Sequence, residues 1–143
     1  MICPTERASN YNPREESMPK SVIIVDDSTF LSKQISDFFV SQLGFQVLAI
    51  GKDGNDAVEL YRKHKPDLVT MDLTMPNKDG KTAINEILAE FADARILVIS
   101  AVKGNTVLEC LNSGAKGYVE KPLKFSDPIF VEDFKQSVDE AFK

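Results

Sequence analysis

The sequence predicts an α/β domain in which a five-stranded parallel sheet is covered by helices on both faces. Two observations carry that prediction. Five short apolar runs alternate with five longer segments of helical periodicity, the pattern of repeated strand–helix units. Four of the five runs also end on residues suited to divalent-cation and phosphate chemistry: Asp26-Asp27, Asp72, Ser100 and Lys121. In open parallel sheets the ligand site lies outside the carboxyl ends of the strands, where the strand order reverses. The chemistry therefore falls where the predicted architecture puts a site.

Taken in order, Ser21 to Asp26 is a nearly continuous β-branched run, as expected of a strand covered on both faces. Ser28 can cap the next helix, whose stripe is Leu31, Ile35, Phe38, Phe39 and Leu43, and Gly44 ends it. Phe45 to Ile50 is the second strand. Asp53 or Asn55 starts the second helix, with Ala57, Val58, Leu60 and Tyr61 inward and Pro66 beyond its end. Asp67 to Asp72 is the third strand, after which Pro76 and Gly80 force a loop.

Ala83, Ile84, Ile87, Leu88 and Phe91 mark the third helix, and Arg95 to Ser100 the fourth strand. Val107, Leu108 and Leu111 mark a shorter fourth helix that Gly114 stops. Gly117 to Glu120 is a brief fifth strand. Asp127-Pro128 then gives a cap followed by a first-turn proline for the last helix, with Ile129 or Phe130, Phe134, Val138 and Ala141 or Phe142 inward. Right-handed crossovers leave few ways to wind these units.

The bulk properties bound the function. At 143 residues the chain is long enough for one domain with a real core. A net charge of −5 argues against nucleic acid as a direct partner. No apolar run approaches the roughly 20 residues of a membrane helix, so membrane insertion is not expected. Cys3 and Cys110 lie far apart in no metal-binding spacing, which reads as two free thiols and a reducing, cytoplasmic setting. The single histidine, His64, falls at a helix end and reads as a surface residue.

Residues 1–19 form a polar tail with scattered prolines and no apolar face, expected to be flexible, ahead of a domain over 20–143. Met18 reads as an alternative translation start, with residues 1–17 dispensable for activity.

Three carboxylates meeting at one edge repel one another, at on the order of 4 kcal/mol for a pair about 4 Å apart near a surface. A hard divalent cation relieves this, and magnesium takes one or two carboxylates, waters and a phosphate. Lys121 adds a mobile positive charge and Ser100 a hydroxyl. Together they supply a nucleophile, Asp72, a metal site and charge stabilisation for in-line phosphoryl transfer. Taken singly, each residue has a plainer reading. Asp-Asp after a strand is commonly a cap or solvated turn, Ser100 a cap, Lys121 a surface charge, Asp79-Gly80 a turn and Tyr118 packing. Their joint placement on the strand ends outweighs those readings.

At Val25-Asp26-Asp27-Ser28, Met71-Asp72-Leu73-Thr74-Met75-Pro76 with Asp79-Gly80, Ser100-Ala101 and Lys121-Pro122, the chain resembles the CheY-like receiver domains of two-component response regulators. The resemblance spans about 20–143. It implies the strand order 2-1-3-4-5, Asp72 as phosphoacceptor, and Asp27 and Asp72 as direct magnesium ligands. Asp26 would act through water and Thr74 through its backbone carbonyl. It also implies Ser100 as the switch hydroxyl, Tyr118 as the switch aromatic, Lys121 as the family's lysine and a cis Lys121–Pro122 bond. Ser100 stands where threonine is commoner.

The resemblance further implies a phosphoryl donor, a histidine kinase or phosphotransfer protein. Phosphorylation would shift a pre-existing equilibrium on the face made by the fourth helix, fifth strand and fifth helix, which a downstream protein reads. Such a protein is a phosphoacceptor rather than an enzyme, acting only in its own phosphorylation and dephosphorylation. With no output domain after Phe142, the expectation is a stand-alone regulator of chemotaxis type or a phosphorelay intermediate, or else a receiver excised from a longer protein. Two rivals stand beside it. A magnesium-dependent phosphatase would pass through its own phosphoaspartate, but it normally carries an acid two residues after the nucleophile, where this chain has Thr74. A phosphorylation-independent scaffold would be expected to lose an acidic or lysine site residue, and none is lost.

Overall fold

The apolar strand runs sort by alternate residues onto two faces, and that division organises the molecule. A computed structural model of the chain describes residues 19–143. The tail expected over 1–19, with Cys3 and the dispensable extension, lies outside the described residues up to residue 18. The strands are β1 (Ser21–Val25), β2 (Gln46–Gly51), β3 (Leu68–Met71), β4 (Ile96–Ser100) and β5 (Gly117–Glu120). They alternate with α1 (Thr29–Leu43), α2 (Gly54–His64), α3 (Gly80–Glu90), α4 (Asn105–Ser113) and α5 (Pro128–Ala141). All pairings are parallel, in the order β2-β1-β3-β4-β5.

Ile23, Val25, Val69, Met71, Ile96 and Val98 pack against Ala57, Val58 and Tyr61 of α2, Ala83, Ile84 and Ile87 of α3, and Val107 and Cys110 of α4. The alternate residues Val22, Ile24, Leu68, Leu97, Ile99 and Val119 pack against Ile35, Phe38 and Phe39 of α1 and Phe134, Val138 and Ala141 of α5. The α1–α5 contact is aromatic, with the Phe38 and Phe134 rings 4.5 Å apart. Burying two faces explains why the strands read as continuous apolar runs.

The expected boundaries hold with small differences. Ser28, Asp53, Asp79 and Asp127 cap α1, α2, α3 and α5 through side-chain oxygens, and Gly44 closes α1 at φ 70°. Asp53 rather than Asn55 therefore starts α2. On α4 the expected stripe is corrected: Leu108 is 56% exposed and Cys110 is buried in its place. On α5, Ile129 is 72% exposed and Phe130 turns inward. On α4 the stripe thus runs from Val107 to Cys110 and skips Leu108, and on α5 it begins one residue after Ile129. No helix among the described residues is long and apolar enough to cross a membrane.

Candidate functional site

The backbone ladder continues past the strand ends and holds the residues that matter. Asp26 N–H donates to the Gly51 carbonyl at 3.0 Å, Asp72 N–H to the Val25 carbonyl at 3.0 Å and Lys121 N–H to the Ser100 carbonyl at 3.1 Å. The carboxylates of Asp26 and Asp72 thus project from rigid positions at the centre of the sheet's carboxyl edge, where the order reverses at β1 and β3. Gly80 is needed beneath them: a Cβ there would run into the Asp72 carbonyl oxygen.

Asp26, Asp27 and Asp72 each turn a carboxylate oxygen inward, and the three oxygens lie within 4.8 Å of one another. Asp26 is 1% exposed and Asp72 5%, while Asp27 faces solvent. A compact all-oxygen set with surplus negative charge and one open side fits a hard divalent cation. Lys121 Nζ enters from β5, 2.8 Å from Asp26 Oδ2 and 3.3 Å from Asp72 Oδ2. One cation therefore faces two buried anions.

The protonation balance follows from that geometry. Burial pushes the Asp72 carboxyl above its usual range; Lys121 opposes this and Asp26 reinforces it. Burial alone would lower the Lys121 ammonium, but the hydrogen bond and charge of Asp26, with the charge of Asp72, outweigh it and raise the group.

The remaining predicted residues gather at the same edge. Ser100 is buried, and its hydroxyl accepts from Val102 N–H at 3.1 Å. The Tyr118 hydroxyl donates to the Val102 carbonyl at 2.9 Å and lies 3.4 Å from the Ser100 carbonyl, so the ring already reaches under the β4–α4 loop. Thr74 is exposed, and its N–H points at Asp72 Oδ1 from 3.4 Å. The Lys121–Pro122 peptide is cis.

Sequence reasoning missed three contributions. Ser28 N–H donates to Asp26 Oδ1 at 2.8 Å, so the start of α1 also neutralises the site. Lys121 was expected beside Asp72, yet its nearer partner is Asp26. Asn77 reaches across to Asp53 at 2.6 Å. The first was legible in the cap signal; the other two depend on contacts between elements that no local pattern reports.

The model of the response regulator receiver domain family matches residues 22–129. The chemotaxis protein CheY of Bacillus subtilis is 44% identical over 108 residues, 75% of this chain and 89% of that one. Its counterpart in Treponema pallidum is 46% identical over 108 residues, 73% of this chain and 74% of that one. The structure of a CheX-CheY-BeF3-Mg complex from Borrelia burgdorferi aligns with TM-score 0.82 and 37% identity, over 91% of this chain and 94% of that one. The response regulator domain of Thermotoga maritima CheB aligns with TM-score 0.76 and 30% identity, over 87% of this chain and 96% of that one.

Sheet order, helix placement and acidic edge define a CheY-like α/β signalling module. The chain belongs to the response regulator receiver domain family, and it is a two-component signalling protein. The match favours neither the phosphatase reading nor the scaffold reading.

Proposed function

We propose that Asp72 accepts a phosphoryl group from a phosphohistidine on a partner kinase or phosphotransfer protein, in a chemotaxis-like pathway of the cytoplasm. The observation that carries this reading is the convergence of Asp26, Asp27 and Asp72 on one point with Lys121 beside them. Asp72 Oδ forms the new O–P bond as the N–P bond breaks, and the electron pair leaves with the imidazole nitrogen. Asp27 and Asp72 would hold magnesium directly, Asp26 through water and Thr74 through its carbonyl. The bound ion would neutralise charge on the transferring oxygens.

Lys121, freed from Asp72, pairs with a phosphoryl oxygen. Ser100 uses its lone pair on Val102 N–H and keeps its own proton to donate. As Ser100 moves toward the phosphoryl group, the Val102 segment and the Tyr118 ring bonded to it move together, which changes the α4-β5-α5 face. A protein that binds the altered face better reads the signal. The receiver unit spans 20–143, and its own phosphorylation and dephosphorylation are the extent of its chemistry.

The test is incubation with acetyl phosphate and magnesium, read by intact mass. The wild type gains one phosphoryl group and Asp72→Asn gains none. Equal labelling of the two overturns the assignment.

A further inference from the structure

The loop from Asp72 to Gly80 carries the Thr74 carbonyl, and its ends are fixed. Asp72 N–H is bonded to Val25, Gly80 N–H to the Leu73 carbonyl at 3.1 Å, and Asp79 caps α3 through Thr82 N–H at 2.8 Å. Between those ends, Lys78 Nζ pairs with Glu86 of α3 at 2.7 Å, and two further hydrogen bonds tie the loop to α2, both at that helix's start. Gly54 N–H donates to the Lys78 carbonyl at 2.8 Å, and Asn77 Nδ2 donates to Asp53 Oδ2 at 2.6 Å. The approach is close: a Cβ on Gly54 would lie 2.6 Å from the Lys78 carbonyl oxygen. Asn77 holds φ at 66°, a left-handed conformation that asparagine tolerates better than most residues.

From this we infer that Asn77 and Asp53 are positioning residues for the metal: their side-chain bond sets where the loop presents the Thr74 carbonyl, and so sets magnesium affinity and selectivity. The inference rests on the proposed metal role of Asp26, Asp27, Asp72 and Thr74. A backbone carbonyl has no rotamer of its own, so its position is the position of its loop. Magnesium demands near-ideal octahedral geometry at short distance, whereas calcium accepts longer and looser coordination. A slackened loop therefore costs magnesium more than calcium. Asp53 spends its other oxygen, Oδ1, on capping α2 through Asp56 N–H at 2.8 Å, so one carboxylate fixes the helix start and the loop together.

The variants follow from that division. Asn77→Gly keeps the positive φ and deletes the amide. Asp53→Ser keeps an α2 cap and is too short to reach Asn77. Asp53→Asn keeps the cap and can rebuild the bond after Asn77 turns its amide over. The measurement is calorimetric titration of the full chain with magnesium and, separately, calcium. Asn77→Gly and Asp53→Ser are each expected to weaken magnesium binding about tenfold, the lower end for groups that orient metal ligands. Calcium binding changes less, the double variant is no weaker than either single one, and Asp53→Asn stays near the wild type. Magnesium binding by Asn77→Gly at wild-type strength, equal loss for both cations, or effects that multiply in the double variant would overturn the brace while Asp27→Asn still abolishes binding. Undiminished binding by Asp27→Asn would overturn the metal reading and the brace with it.

Discussion

The Lys121 ammonium donates to Asp26 Oδ2 across 2.8 Å and meets Asp72 only as a second, longer contact at 3.3 Å. Asp72 is thus left with a partial share of one positive charge in a buried place. Its ionised form is the less well paired of the two, which suits a nucleophile that must turn outward to react. Removing the cation should be costly because it strands two buried carboxylates. Lys121→Met is expected to destabilise the metal-free protein by about 3 kcal/mol, as breaking a buried ion pair does. Urea unfolding in EDTA measures this, and adding Asp26→Asn should recover most of the loss.

Asp72 itself works against stability. Its folded-state pKa lies above the unfolded value, so folding binds the proton more tightly and stability falls as pH rises from about 4. Asp72→Asn should flatten that slope and stabilise the metal-free chain at neutral pH by on the order of 1 kcal/mol, or about 3–5 °C in Tm. Thermal melts at several pH values, with and without magnesium, check it. In the wild type magnesium should recover much of the same stability.

The opposite sign applies at Asp79. Its bond from Thr82 N–H holds the carboxyl below its usual range. The contribution is complete above the unfolded pKa near 4 and is lost as pH falls through the lower folded value. Asp79→Asn should keep the cap and soften the acid limb of the stability curve. Asp79→Ala should lose about 1 kcal/mol at neutral pH. Acid titrations followed by circular dichroism separate the two.

The Tyr118 hydroxyl ties β5 to the β4–α4 loop through the Val102 carbonyl. Tyr118→Phe is expected to cost about 1 kcal/mol and to speed amide exchange in the loop, most of all at residues 101–104. Lys103 and Glu120 span the same gap at 2.7 Å, but both are well exposed. Glu120→Gln should therefore move stability by less than about 0.5 kcal/mol.

Much of this was legible in the sequence because the signals were local. Strand runs buried on two faces read as apolar, and Ser28 and Asp127 announced their helices by side chains that bond their own backbone, whereas Asp79 read only as a turn and its cap on α3 emerged in the structure. The acidic edge was legible because strand ends converge by topology, so Asp26 and Asp72 needed no long-range contact to be placed. Short amphipathic helices read less well. On α4 and α5, Leu108 and Ile129 are apolar but exposed, and the choice between adjacent residues is made by packing angle rather than by period. The Asp53–Asn77 bond lay beyond reach for another reason: its partners sit in different loops, and neither type is unusual there.

Thr70 gives the last prediction. It lies in β3 two residues before Asp72, is buried, and its hydroxyl has no hydrogen-bond partner among the described residues. Its strand neighbours are Ile24 on β1 and Leu97 on β4, which offer apolar side chains and nothing to bond. A buried hydroxyl without a partner carries its full desolvation penalty, about 1–3 kcal/mol. Valine has nearly the same shape and strand preference without the polar atom. Thr70→Val should therefore raise stability by about 1 kcal/mol, measured by urea unfolding in EDTA. Because the change leaves every carboxylate in place, acetyl phosphate labelling at Asp72 should proceed at the wild-type rate. A slower reaction would show that the hydroxyl serves the site above it, and that its unpaired state is retained for function rather than tolerated.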